Sequence, residues 1–202
     1  MSQELSMPAI KKTAWIDGHR LRLRQADVED ASFIFNLRQH PLRNQHMSAT
    51  SPRPEDQIQW LERYALDNSQ AYFVIEAKEN PGHPPRAGGS QLLGTVRLYD
   101  ARALSFCWGS WMLLPDAPPF TAIESALIVY RYALELGFRS AHFEVQQGNL
   151  AVCRFHENFG AVRVGEDAGQ IQYTLDHERI LESLHRYRRF LPAGIKRAPF
   201  IH

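Results

Sequence analysis

Between residues 122 and 160, two apolar-periodic segments, each closed by a glycine, bracket one short strand-forming run. Ala122–Leu136 carries its apolar residues at helical spacing and stops at Gly137, a residue suited to the left-handed conformation that closes a helix. Ala141–Val145 follows as a strand. Asn149–Phe159 is helical again and stops at Gly160. Asn149 is a good N-cap, because its side-chain oxygen can accept from a free N–H of the first turn. A further strand, Leu104–Leu114, runs into Pro115 just before this block. Strand ends beside helix starts are where an open sheet forms a ligand crevice.

The flanking segments extend the sheet. Leu21–Arg24 alternates Leu and Arg, the period of a strand with one buried face. Asp27, Glu29 and Asp30 precede an apolar-periodic stretch through Leu37, and acids at a helix start complement its dipole. A second helix is expected after Pro52 and Pro54, with Ile58, Leu61 and Ala65 on one face. Ala71–Glu76 and Gln91–Tyr99 form an expected antiparallel pair, joined by the Pro- and Gly-rich loop Glu79–Ser90. Ile171–Leu175 is the last expected strand and Asp176–Phe190 a basic C-terminal helix. The fold class is α/β, a mixed sheet with helices on both faces. Residues 1–18 read as a flexible tail, 19–191 as one domain and 192–202 as an irregular tail.

Composition removes several function classes. A chain of 202 residues that is 44% hydrophobic and 22% charged suits one domain with a full core. With 23 basic and 22 acidic residues, it has no global field for a polyanion, and nucleic acid is not an expected partner. No apolar run reaches the roughly 18 residues that span a bilayer. Met1 to Thr13 lacks the apolar core of a signal peptide. Cys107 and Cys153 lie far apart and read as reduced thiols of a cytoplasmic protein. The histidines show no His-x-x-x-His spacing and no Cys-x-x-Cys accompanies them, so no metal site is expected.

The strand–loop–helix unit at Trp111–Leu114, PDAPPFTA and the following helix is a phosphate-site candidate. Backbone amides of Phe120, Thr121, Ala122 and Ile123 would face a pyrophosphate at the helix start. In the second unit, Asn149, Cys153 and His156 are spaced to share one helix face.

The run Asn149-x-Ala-x-x-Arg154-Phe155-His156-Glu157-x-Phe159-Gly160 resembles the coenzyme-A-side motif of the GNAT superfamily of N-acetyltransferases. Tyr132 to Phe138, YALELGF, is similar to the helix that precedes it there, and LLPDAPPFTAIE is similar to the cofactor loop. LRLRQADVEDA is similar to the opening strand and helix, so the resemblance spans roughly Leu21 to Tyr173. The departures are Ala117 in place of the loop's Gln or Arg, Phe120 in place of its first glycine, Ala122 at its Gly/Ala position, so that the loop has neither glycine, and Ala161 in place of the aromatic after Gly160. The string VCRFHENFG, with His156 where most members carry Tyr, resembles acetyltransferases of nucleotide-activated amino sugars of the pseudaminic-acid-pathway type.

The resemblance implies a mostly antiparallel twisted sheet over residues 19–191, acetyl-CoA as cosubstrate and a small-molecule amine as acceptor. Many members form homodimers. The implied chemistry is direct attack of an amine on the thioester in a ternary complex, through an oxyanion, with thiolate leaving. His156 is the implied proton donor to the thiolate, since an ordinary imidazole with a pKa near about 6.5 is partly protonated at neutral pH. Amides of Met112, Leu113 and Leu114 would hold the thioester oxygen and pantetheine arm, and Asn149 and Cys153 would touch the coenzyme. Glu144, a charge in an apolar strand, is the candidate base, with a pKa that burial would raise. His142, on the same strand face, is a second candidate. The acceptor site falls on Asn44, Gln45, His46 and Trp60, with Arg43 and Arg53 available to a diphosphate. Two other readings stay open: an enzyme of protein N-termini, which needs an open groove with acidic lining, and a non-catalytic ligand-binding module.

Overall fold

A computed structural model describes residues 7–40, 51–78 and 90–201. Strands β1 (Lys12–Thr13), β2 (Trp15–Asp17) and β3 (Leu21–Gln25) open the chain, followed by helices α1 (Ala31–Gln39) and α2 (Pro54–Leu66). Strands β4 (Ala71–Ala77), β5 (Leu92–Arg102) and β6 (Ser105–Leu113) lead to α3 (Phe120–Glu135), β7 (Ser140–Gln146) and α4 (Leu150–Asn158). The chain ends with β8 (Val162–Asp167), β9 (Gln170–Leu175), α5 (His177–Arg186), β10 (Lys196–Arg197) and β11 (Phe200–Ile201). Nine strands form one sheet in the order β10-β2-β3-β4-β5-β6-β7-β9-β8, while β1 pairs with β11. Every neighbouring pair is antiparallel except β6 and β7. No helix among the described residues is long and apolar enough to cross a membrane.

The central strand β4 shows why both faces of the sheet are covered. Side chains alternate along a strand, and here both alternating sets are buried. Tyr72 and Val74 pack with Ala31 and Ile34 of α1 and Leu61 and Tyr64 of α2. Ala71, Phe73 and Ile75 join the larger core, which takes in α3, Cys153 and Phe159 of the α4 segment, and Ile180 of α5. Arg24 ties the start of the first helical segment to the sheet, donating to Asp30 at 2.7 Å and to Glu76 at 2.7 Å, both buried. Asp27 and Asp30 cap that turn reciprocally, as the acids at its start foretold. Gly137 and Gly160 take positive φ, 98° and 90°, at the ends of α3 and α4.

Three stretches differ from the sequence reading. Residues 12–17 are strands, not part of a loose tail, and residues 196–201 return to pair with them. Runs of two or three residues are too short to carry a periodic signal. β8 was also missed, because it is the exposed edge strand and shows no inward alternation. The loop at 79–89 lies outside the described residues.

The feature that positions the site is the parting of β6 from β7. They pair at Ser105 with Ser140, Phe106 with Ala141 and Cys107 with His142. Beyond that register both strands continue, to Leu113 and Gln146, without pairing to each other. Along its other edge β6 stays bonded to β5, but with a bulge: Thr95 faces Met112 and Arg97 faces Gly109, so Ser110 and Trp111 lie opposite Val96. Ser110 takes φ 45°, and its carbonyl accepts from Thr95 Oγ1 at 2.8 Å. Such bulges increase local twist. Gly94 permits the close approach, since a Cβ there would sit 2.1 Å from the Met112 carbonyl oxygen.

Gly94→Ala should therefore force the β5 and β6 backbones apart. The expected cost is about 1–3 kcal/mol, the usual range for overpacking, read as a lower urea midpoint at unchanged m-value. An unchanged midpoint would show that the strands tolerate a wider separation.

Candidate active site

A groove of about 900 Å³ begins in the parting of β6 and β7 and continues beneath α1 and α2. Trp108 to Leu113 form one wall of the parting and Phe143 to Gln146 the other. Ala122 of α3 and Asn149 at the start of α4 line the same end. The start of α3 has no side-chain cap and no acid in its first turn. That leaves its positive end to an anion. The other end is lined by Arg38, Arg53, Trp60, Arg63, Tyr72 and Arg97.

Phe120, at the place of a loop glycine, does not obstruct the parting. Its ring lies under the Arg20 guanidinium, 4.7 Å from ring centroid to Cζ, and packs against the core. It is not among the groove-lining residues. The small side chain of Ala122 is what meets the groove at that helix end. Phe120 therefore leaves the groove open at the α3 start.

His156 lies at the junction, buried to 5% exposure in an aromatic shell. Ring centroids of Phe143, Trp108, Phe155 and Trp111 stand 4.2, 5.3, 5.6 and 6.1 Å away. The bulge assembles this shell. On a regular strand Trp108 and Trp111 would point to opposite faces, but the extra residue at Ser110 brings their rings within 5.4 Å. Trp111 is fixed further by donation from Nε1 to Ser125 Oγ at 3.1 Å. Burial pushes the His156 pKa down to about 3, so the ring is neutral at physiological pH. Nδ1 is buried without a protein partner.

The sequence profile described as "Acetyltransferase (GNAT) domain" matches residues 20–162. The chain belongs to the GNAT acetyltransferase family. The structure of apo FdhC, described as a nucleotide-linked sugar GNAT, is similar at 34% identity and a TM-score of 0.74, covering 87% of this chain and 97% of that one. A probable GNAT acetyltransferase from Chromobacterium violaceum is similar in fold at 16% identity and a TM-score of 0.72, covering 89% and 94% of the two chains. Spermidine N-acetyltransferase from Vibrio cholerae, in complex with CoA and spermine, has 17% identity and a TM-score of 0.66, covering 80% and 98%. A search of curated proteins gave no match. GNAT enzymes use acetyl-CoA, and this chain carries the family's fold with its one parallel strand pair parted.

Not every residue expected at a GNAT site reaches the groove. Met112, Leu113, Ala122, Asn149, Trp60, Glu144 and His156 line it. Asn149 also caps α4, accepting from Val152 N–H at 3.4 Å. Cys153 does not line it, being buried in the core one turn beyond Asn149. The Leu114 amide is already spent on the Leu93 carbonyl at 2.8 Å, and that of Thr121 on Pro118 at 2.9 Å. Phe120 and Ile123 pack their side chains against the core. Glu144 is exposed, so the burial invoked for it is absent. His142 is held between Ser105 Oγ at 2.8 Å and Asp100 Oδ2 at 3.3 Å. Asn44, Gln45, His46 and Arg43 lie outside the described residues. Arg53 is exposed and paired with Asp56 at 2.8 Å.

Arg38, Arg97, Tyr72, Trp108 and Trp111 line the groove and escaped the sequence reading. Arg97 sits between buried Val96 and Leu98, and such alternation reads simply as an outward strand position. The two tryptophans needed knowledge of the bulge.

The state of His156 has a measurable signature. Unfolding returns the ring to a pKa near about 6.5, so the unfolded chain binds a proton that the folded chain does not. Stability is full above that value and is lost as pH falls through the window down to about 3. His156→Phe removes this contribution, so the fall in urea midpoint between neutral pH and about pH 4.5 should be smaller than in the wild type. Parallel losses in both proteins would mean that the folded ring accepts a proton normally.

Proposed function

We propose that this protein transfers acetyl from acetyl-CoA to the amine of a nucleotide-linked amino sugar, by direct attack in a ternary complex. One observation carries the reading: a single groove joins the parted strands to a cationic, aromatic basin under α1 and α2. Four of the groove-lining residues, Arg38, Arg53, Arg63 and Arg97, are arginines, against two carboxylates, Asp56 and Glu144. That balance suits an acceptor that brings its own negative charge. The description of the 34% identical FdhC as a nucleotide-linked sugar GNAT supports the same class. An N-terminal peptide site calls for acidic lining, and among the described residues the one carboxylate of the basin, Asp56, is paired with Arg53. A non-catalytic reading gained its support from Phe120, whose ring stacks on Arg20 instead of filling the parting.

In this reading the first turn of α3 receives the coenzyme diphosphate. Backbone groups of Ser110 to Leu113 bind the pantetheine arm and the thioester oxygen, with the bulge turning them toward the parting. Acetyl-CoA supplies the activated acyl carbon and the thiolate leaving group. Glu144, the groove carboxylate without an ion pair among the described residues, takes a proton from the incoming ammonium directly or through water. His156 acts as a relay, not as a standing acid. Its neutral ring accepts the proton that the attacking nitrogen sheds and returns it to sulfur, so that the net proton count is unchanged.

Thiol release should be followed across nucleotide-linked amino sugars, free amino sugars, polyamines and N-terminal peptides. The first class should give the highest kcat/KM. His156→Phe should lower kcat by about 10²–10⁴-fold, the range for general acid–base groups, with coenzyme binding retained. A peptide or polyamine as best acceptor would overturn the acceptor class. Unchanged turnover would remove His156 from the mechanism. Coenzyme binding without any thiol release would support the non-catalytic module.

A further inference from the structure

The arginines of this protein fall into two groups. Arg22 and Arg24 are partly buried and matched by carboxylates, Asp17 for the first and Asp30 with Glu76 for the second. Arg38 of α1 and Arg97 of β5 are also withdrawn from solvent, but neither is in an ion pair among the described residues. They line the same end of the groove. Burial, and then the like charge of Arg97, push the Arg38 pKa down, whereas Asp17 raises that of Arg22. The stretch 41–50, which follows α1, contains no Asp or Glu. Of the two carboxylates in the groove, Asp56 is bonded to Arg53 and Ser51, and Glu144 belongs to β7 at the other end.

Arg97 is held without being neutralised. Its Cζ lies 4.3 Å from the Tyr99 ring centroid and 5.5 Å from that of Trp60. One terminal nitrogen donates to Gln70 Oε1 at 3.2 Å, and Nε is buried with no acceptor. Aromatic faces and an amide fix a guanidinium while leaving its charge available. Trp60 is itself locked by stacking on Tyr64 at 5.7 Å and by its edge contact with Tyr72 at 5.5 Å.

Two half-buried like charges sharing one basin, without a counter-ion among the described residues, disfavour the empty state. They suit a ligand that carries two adjacent negative charges, and guanidinium forks match phosphate oxygens bidentately. In the proposed function the coenzyme diphosphate goes to the α3 start, which leaves both arginines to another ligand. We propose that Arg38 and Arg97 form a clamp for the diphosphate of the acceptor, with Trp60 and Tyr99 as positioning residues for Arg97. The clamp rests on the acceptor reading above and adds its selectivity. It attracts a nucleoside diphosphate group and repels a polyamine, whose charges repeat its own.

Calorimetry on the full chain saturated with coenzyme A, so that the α3 site is filled, tests the clamp. The probes are a pyrimidine nucleoside diphosphate, the same nucleoside without phosphate, and inorganic pyrophosphate. The nucleoside diphosphate should bind and the bare nucleoside should not. Pyrophosphate should bind more weakly, through the clamp alone. Arg38→Met and Arg97→Met should each weaken nucleoside diphosphate binding by about tenfold to a hundredfold, the scale of hydrogen bonds to charged groups. Coenzyme affinity should not change. Arg38→Met should also keep or raise the melting temperature, because it removes a half-buried charge that has no ion pair among the described residues. Arg38→Gln, which keeps a polar end, gives a second folded variant.

Unchanged nucleoside diphosphate affinity in both methionine variants would overturn the clamp, as would equal binding of the bare nucleoside. Acetylation of nucleotide-linked amino sugars at unchanged KM by both variants would sink the clamp and leave the acceptor reading standing. Clamp binding without acetylation of any such sugar would sink the acceptor reading and leave the clamp.

Discussion

The site depends on three paired positions and the absence of a fourth. β6 and β7 hold together from Ser105 to Cys107 and then separate, because the bulge at Ser110 turns β6 while β5 keeps its other edge bonded. Every backbone group along the facing edges then needs another partner, since buried N–H and C=O groups are rarely left unpaired. A ligand strand carrying its own amides is such a partner. This explains why the walls can be built from side chains as unpolar as Met112, Leu113 and Val145. In the proposed function the recognising chemistry there is in the main chain, and the side chains mainly exclude water.

A backbone site also explains how the α3 loop does without glycine. The difficulty posed by Phe120 concerns where its ring goes, and Arg20 answers it from the turn between β2 and β3. The same turn holds α3 in place through Glu124, which is fully buried and accepts from the Arg20 and Leu21 amides at 2.7 and 3.0 Å. Burial pushes that carboxyl's pKa up, and the amide donors oppose the shift. The α3 start proposed for the coenzyme diphosphate is thus fixed by contacts to the β2–β3 turn, and Ala122 is its residue at the groove.

What was legible in the sequence was local. Caps, closing glycines and strand alternation each report on a few neighbouring residues, and Asn149, Gly137 and Gly160 behave as their types dictate. What was hidden was decided by distant partners. Trp108 and Trp111 share a side only because of a register shift against β5. Arg97 looks like any outward-facing strand residue until Trp60, from a helix far earlier in the chain, is laid beside it. Asn149 and Cys153 do lie one turn apart on α4, but Val152, Phe155 and His156 line the groove on either side of Cys153, which is buried in the core. Helical spacing alone could not distinguish the residues at the groove from the one that turns into the core.

The substitution of His156 for the family's more common Tyr makes sense in the same terms. Burial in this fold keeps aromatic hydroxyls neutral, as the raised pKa of Tyr130 and Tyr132 shows. A tyrosine in the His156 shell would likewise stand as a neutral donor, able to give a proton to sulfur only by becoming a buried phenolate. In the proposed mechanism a neutral imidazole in that shell first accepts a proton, and its cation is short-lived because the developing thiolate takes that proton. Desolvation, which makes the imidazolium unfavourable at rest, also makes it a strong acid once formed. The aromatic shell that removes His156 from ordinary titration is therefore the feature on which the proposed relay rests.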